Sequence, residues 1–171
     1  HYRCNFFTIF IPFMKIAVFP GSFDPITIGH CDILERALPL FDKIVVAIGH
    51  NSQKKYLFTI EQRLQFIAQT FSHEPKIAVT DYTGLTIHFC EQIGANYLLR
   101  GIRSSVDFEY ERNISQMNFA VSNNQIETVF LICQPAYSHI SSTIVREVLI
   151  GKGNAEAFLP PKVRELIRHG E

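Results

Sequence analysis

Residues 43–48, Lys-Ile-Val-Val-Ala-Ile, form a nearly unbroken apolar run dominated by β-branched side chains. A run without polar alternation suits a strand covered on both faces, which is the habit of parallel sheets. Such a strand needs helices above and below it, and the chain supplies them. Shorter apolar runs stand at 15–19, 76–79, 97–99 and 128–132. Between the first two strands, Ile33, Leu34, Ala37 and Leu38 recur at helical spacing over residues 28–38, and Pro39 falls near that helix's end. Thr59 and Gln62 read as a capping box opening a helix through Phe71. Thr83 begins a further helix that ends at Gly94. Ser104 or Ser105 caps a long helix through Val121. Ser141 opens another, followed by Gly151, and Pro160-Pro161 start a last short helix. This alternation predicts an α/β fold: a single Rossmann-like, doubly wound domain with a five-stranded parallel sheet and right-handed crossovers.

The length of 171 residues fits one domain, and 47% hydrophobic residues suffice for a core. Lysine plus arginine (16) equals aspartate plus glutamate (16), so any positive field must be local. That balance argues against a general nucleic-acid binder. Cys4, Cys31, Cys90 and Cys133 are scattered without a Cys-x-x-Cys, which suits reduced thiols of a cytoplasmic protein and no zinc site. The apolar stretch from Phe6 to Phe13 is too short to span a bilayer and is interrupted by Pro12, so no membrane role is expected. Met14-Lys15 opens a clean strand. Residues 1–13 are therefore expected to be a non-native extension, a remnant of cloning or of upstream translation, with a genuine extra arm that packs on a neighbour as the rival reading, and 14–171 the single domain.

Between the first strand and first helix lies Pro20-Gly21-Ser22-Phe23-Asp24-Pro25, then Thr27-Ile28-Gly29-His30. A strand, a glycine turn and a histidine at a helix mouth make a place for phosphate, because the helix start offers unpaired N–H groups and a positive dipole end. His30 adds a donor that can carry a full positive charge. The pattern is neither a P-loop nor a dinucleotide Gly-x-Gly-x-x-Gly. In a parallel sheet the loops after all strands gather at one edge. That edge would collect Ser22 and His30, then Lys54 and Lys55, then Gly84, Leu85 and Thr86, then Arg100, Gly101 and Arg103. The last loop adds Tyr137, Ser138, His139, Ser141, Ser142 and Thr143. Such a cluster suits a ligand with several phosphates. Each member also has a plainer reading. Lys54 could be a solvated loop lysine, Arg100 could pair with Asp107, Glu109 or Glu111, and Ser141-Ser142-Thr143 could be a helix cap.

Four stretches resemble the bacterial pantetheine-phosphate adenylyltransferase family, of the nucleotidyltransferase superfamily. They are Pro20 to Thr27 with Gly29-His30, Leu99-Arg100-Gly101-Ile102-Arg103, Asp107-Phe108-Glu109-Tyr110-Glu111, and Ile140-Ser141-Ser142-Thr143-Ile144-Val145-Arg146. The resemblance runs from Met14 nearly to the end. It implies an adenylyltransferase of coenzyme A biosynthesis, moving AMP from ATP to 4′-phosphopantetheine and giving dephospho-CoA and pyrophosphate. Attack would be in line and without a protein nucleophile. His30 would stabilise the transition state, with Lys54 and Arg100 as further catalytic groups. Ser22, Lys54, Thr86 and Arg100 would hold phosphopantetheine. ATP would meet Ser22, Phe23, His30, Gly101, Ile102, Arg103, Glu111, Tyr137, Ser138, His139, Ile140, Ser141, Ser142 and Thr143. Tyr137 and His139 stand where some relatives have tryptophan and phenylalanine. Mg²⁺ would ride on the ATP phosphates, held through water and substrate and not by a protein metal site. The resemblance further implies a homohexamer, a cytoplasmic location and CoA as a candidate inhibitor. Rival readings are another small adenylyl- or cytidylyltransferase, a non-catalytic nucleotide sensor, and a tRNA-synthetase-like module. The first would lack the Arg-Gly-Ile-Arg block, the second would not need His30 beside Lys54 and Arg100, and the third has no basic surface for tRNA.

Overall fold

The computed structural model describes residues 13–169. Of the N-terminal segment only Phe13 is described, so the expectation for residues 1–12 lies outside the described residues. Strands β1 (Ile16–Gly21), β2 (Lys43–Gly49), β3 (Ile77–Tyr82), β4 (Tyr97–Ile102) and β5 (Glu127–Ile132) alternate with helices α1 (Ile28–Ala37), α2 (Ile60–Thr70), α3 (Thr86–Ile93), α4 (Ser105–Val121), α5 (Ser142–Ile150) and α6 (Pro161–His169). The sheet is five-stranded, in the order β3-β2-β1-β4-β5, with all neighbours parallel. The doubly wound α/β expectation is met.

Strand parity explains the two layers. Ala17, Phe19, Ile44, Val46, Ile48 and Leu99 point into one core, with Ile33 and Leu34 of α1 and Phe66 and Ile67 of α2. Val18, Val45, Ala47 and Leu98 point into the other, against Ile87, Phe89 and Cys90 of α3. The unbroken apolar run of β2 is thus required by burial on both faces. Cys31, Cys90 and Cys133 are free and buried.

Every strand outruns its apolar run, β4 and β3 by the most. β4 continues through Arg100, Gly101 and Ile102, which pair with Phe130, Leu131 and Ile132. Arginine and glycine are weak strand formers, and pairing with β5 overrides that preference. β3 runs to Tyr82, and Gly84 has φ +84, so α3 starts at Thr86 and not at Thr83.

The site is opened by a break in one ladder. β1 pairs with β2 over six residues but with β4 only at Ala17↔Tyr97 and Val18↔Leu98. Beyond that the two central strands part, at the place where strand order reverses, and there open sheets bind ligands. Pro20 stands at the parting. Its carbonyl accepts a hydrogen bond from Arg100 Nη1 at 2.8 Å in place of a ladder bond. Its missing N–H falls on that same open side, so the proline takes no bond from β2.

Candidate active site

The crevice between the ends of β1 and β4 holds a cavity of about 410 Å³. Its walls include Ser22, Phe23 and His30 from the β1–α1 turn, Lys54 from the β2–α2 loop, and Arg100, Gly101 and Arg103 at the end of β4. Glu111 of α4 joins them, with Tyr137, Ile140, Ser141, Ser142 and Thr143 at the start of α5. Groups scattered over more than a hundred residues of chain therefore face one space.

Four expected residues do not line it. Thr86 Oγ1 is hydrogen-bonded to the Tyr82 hydroxyl at 2.7 Å. Ile102 is buried, and its carbonyl accepts Cys133 N–H at 2.9 Å. Ser138 Oγ closes its own turn by donating to the Pro135 carbonyl at 3.0 Å, and the His139 ring lies edge-on to Phe158 with centroids 6.3 Å apart. Local bonding and packing hold these side chains away from the cavity.

His30 is set by its own helix start. Thr27 caps α1, and its backbone N–H donates to His30 Nδ1 at 3.1 Å, while Thr27 Oγ1 lies 2.9 Å from the same nitrogen. A ring nitrogen that accepts a backbone N–H carries no proton, so the hydrogen sits on Nε2. Burial, reinforced by the charges of Arg103 and Arg100, lowers the imidazole from 6.5 to about 4. His30 is accordingly a neutral donor at neutral pH. The Phe23 ring packs edge-on against it at 5.1 Å. Phe23 is itself 2% exposed with φ 44, a left-handed backbone that a bulky residue adopts only under constraint.

The arginines are not free cations. Arg100 donates Nε to Glu111 Oε2 at 2.8 Å and Nη2 to Glu111 Oε1, in the fork geometry of a bidentate pair. Arg103 Nε donates to Asp107 Oδ2 at 3.0 Å. The plainer reading of Arg100, pairing with a nearby acid, is therefore correct as far as it goes. It does not exhaust the residue, since a guanidinium has five N–H donors and Arg100 commits one to Pro20 and two to Glu111. Two remain for a ligand. The Lys54 side chain is exposed and has no hydrogen-bond or ion-pair partner among the described residues, while its backbone N–H donates to the Asn51 carbonyl at 3.2 Å.

The Ser-Ser-Thr run is a cap and something more. Ser141 Oγ accepts Ile144 N–H at 3.2 Å, as a lone cap would. Ser142 Oγ donates to the Pro25 carbonyl at 2.8 Å, tying α5 to the β1–α1 turn. The starts of α5 and α1 both border the cavity, through Ser142 and Thr143 and through Gly29 and His30, and a helix start is the end of the peptide dipole that favours anions. Two helix starts and Lys54 suit anions.

Sequence reasoning assigned no ligand role to Asp107, Thr27 and Cys133, which also line the cavity. Asp107 lay in plain view, four residues after Arg103, the spacing of a helical ion pair. Cys133 gave no such signal. Among the described residues no group of three or more His, Cys, Asp or Glu side chains could hold a metal ion.

The chain is similar to known proteins along most of its length. The family model described as cytidylyltransferase-like matches residues 18–148. A phosphopantetheine adenylyltransferase of Christiangramia forsetii is 50% identical over 152 residues, 89% of this chain and 99% of that protein. The protein of the same name from Flavobacterium johnsoniae is 51% identical, covering 88% of this chain and 98% of its own. A third, from Limosilactobacillus reuteri, is 43% identical over 91% of this chain and 89% of its own. Among solved structures, a putative nicotinate-nucleotide adenylyltransferase from Vibrio parahaemolyticus has the same fold, with TM-score 0.65 and 20% identity over 90% of this chain and 98% of that one.

Proposed function

We propose how the cavity works on one premise: this chain belongs to the phosphopantetheine adenylyltransferases, within the cytidylyltransferase-like nucleotidyltransferases. It is an enzyme of coenzyme A biosynthesis, transferring AMP from ATP to 4′-phosphopantetheine with release of pyrophosphate and dephospho-CoA. A phosphate oxygen of phosphopantetheine attacks the α-phosphorus of ATP, and the bond from that phosphorus to the bridging oxygen of pyrophosphate breaks. The nucleophile is already an anion, so the protein needs no base to make one. Its task is to hold two mutually repelling anions in line.

The observation that carries this reading is the meeting of His30, Lys54 and Arg100 around one cavity at the parting of β1 and β4. Lys54 and the two uncommitted N–H groups of Arg100 hold the acceptor's phosphate. The α1 and α5 starts and Arg103 take the ATP phosphates, and Tyr137 and Ile140 flank the nucleotide. His30 Nε2–H donates to the α-phosphate as charge builds there, and Thr27 fixes which nitrogen does so. Both carboxylates that line the cavity, Asp107 and Glu111, are engaged with arginine. Mg²⁺ fits as a companion of ATP, where it would neutralise phosphate charge and keep water ligands.

The same reading takes the protein to be cytoplasmic, residues 14–171 to be the catalytic unit, and the assembly to be a homohexamer. An assembly is supported by α4, which buries no side chain and exposes Val106 (78%), Tyr110 (67%) and Met117 (67%) beside the edge strand β5. The direct test mixes the protein with ATP, Mg²⁺ and one phosphate acceptor at a time and follows pyrophosphate. Release is expected with 4′-phosphopantetheine and not with nicotinate mononucleotide or glycerol phosphate. The reverse preference would overturn the substrate assignment.

A further inference from the structure

Lys54 lines the cavity from a loop with no regular structure, between β2 and α2. A lysine on such a loop would spread its charge over many positions unless the backbone were held. Asp24 holds it. This carboxylate is 1% exposed, and its two oxygens accept two successive amides of that loop: Oδ2 from Leu57 N–H and Oδ1 from Phe58 N–H, each at 2.9 Å. A charge removed from water needs such bonds, and here both go to one segment, just beyond Lys54 in sequence.

The neighbouring ties have the same direction. Arg63, 4% exposed, stacks over the Tyr56 ring at 4.1 Å and donates Nη1 to the Ser22 carbonyl at 2.8 Å. Arg146 of α5 donates Nη1 to the Asp24 carbonyl at 2.8 Å, so the backbone of Asp24 is fixed independently of its carboxylate. The Arg146 Nε lies 3.8 Å from Asp24 Oδ2, a longer contact than either amide makes.

We propose that Asp24 is a positioning residue, whose carboxylate clamps the β2–α2 loop to the β1–α1 turn and so keeps Lys54 over the cavity. The inference rests on the reading that Lys54 holds the acceptor's phosphate. Ordering the loop during folding spares that entropy at the moment of binding. Asp24→Asn keeps the size but turns one acceptor into an NH₂ facing a backbone N–H, which breaks one of the two bonds.

The test is a double-mutant cycle on phosphopantetheine KM, with the Kd for ATP measured alongside. Asp24→Asn is expected to raise that KM about tenfold, the worth of one lost hydrogen bond to a charged group, with ATP affinity near wild type. Lys54→Ala should cost much less in the Asp24→Asn background than in the wild type. An undiminished Lys54→Ala effect in both backgrounds overturns the clamp and leaves the Lys54 assignment standing. No effect of Lys54→Ala in the wild type overturns the Lys54 assignment and the clamp with it. Amide exchange on the unaltered protein gives a readout independent of whether the variant folds. Leu57 and Phe58 N–H should exchange far more slowly than the N–H of Lys55, and equal rates overturn the clamp.

Discussion

The two walls of the cavity hold charge in opposite ways. On the β4 wall both cations arrive paired, Arg100 with Glu111 and Arg103 with Asp107. On the β1–β2 wall Lys54 has no such partner among the described residues, and His30 is held neutral. The difference teaches how a chain with no net charge can serve two anionic substrates. The arginines are oriented in advance by their acids, with side chains only 31% exposed for Arg100 and 12% for Glu111, so they lose little freedom when a phosphate comes. They also suppress a proton on His30, which keeps the donor neutral until anions enter. Positive charge is thus fixed on one wall and mobile on the other, with the clamp at Asp24 limiting the mobile one.

The harshest test of the contrast is His30→Ala. Loss of a preorganised donor to a charge that develops only in the transition state lowers turnover by about 10²–10³-fold. ATP affinity should move far less, because a neutral donor adds little to ground-state binding of an anion already met by helix starts and Arg103. Single-turnover rates with ATP titrations separate the two. Weakened binding with turnover intact would make His30 an ordinary ligand contact.

Arg100→Ala comes next. It removes a charged donor pair and leaves Glu111 uncovered beside the incoming phosphate, so the acceptor loses an attraction and meets a repulsion. A charge-assisted hydrogen bond is worth about 1.5–3 kcal/mol, so phosphopantetheine KM should rise about 10–100-fold while ATP Kd changes little. Arg100→Ala with Glu111→Gln should recover part of that loss, because the uncovered charge is gone. Equal damage to ATP binding would erase the division of labour between the walls, and no recovery in the double variant would show that Glu111 does not repel the acceptor.

How far the sequence discloses this site depends on which interactions write themselves into spacing. The strand runs, Gly94 as a helix stop, the Thr59–Gln62 capping box and the Ser141 cap follow from local chemistry, and each appears where the residues place it. The convergence of loops follows from parallel topology alone. The parting of β1 and β4 does not, because ladder register depends on the partner strand. Nor does the neutral state of His30, which comes first from burial and then from the charges of Arg103 and Arg100 at the end of β4. Nothing local marks the tie of Asp24 to Leu57 and Phe58, which crosses more than thirty positions. Thr86 and His139 show the converse: loop residues at the right edge whose neighbours, Tyr82 and Phe158, draw them aside.

The mildest effect concerns the proton of His30. In an unfolded chain an imidazole takes its proton near 6.5, and in the folded protein His30 takes it at about 4. As pH falls through that interval the unfolded chain binds a proton that the fold refuses, so stability from this group declines; above 6.5 both states are neutral and it has no slope. Carboxylates titrate in the same interval, yet they cancel in a comparison of the protein with its His30→Gln variant. The wild type should therefore lose more stability than the variant between pH 7 and pH 5 in urea unfolding. Nitrogen shifts of the ring should report Nε2–H alone down to pH 5. A titration midpoint at or above 6.5 would mean an imidazolium faces the arginines across the empty cavity, and the opposition between a charged wall and a neutral one would fail.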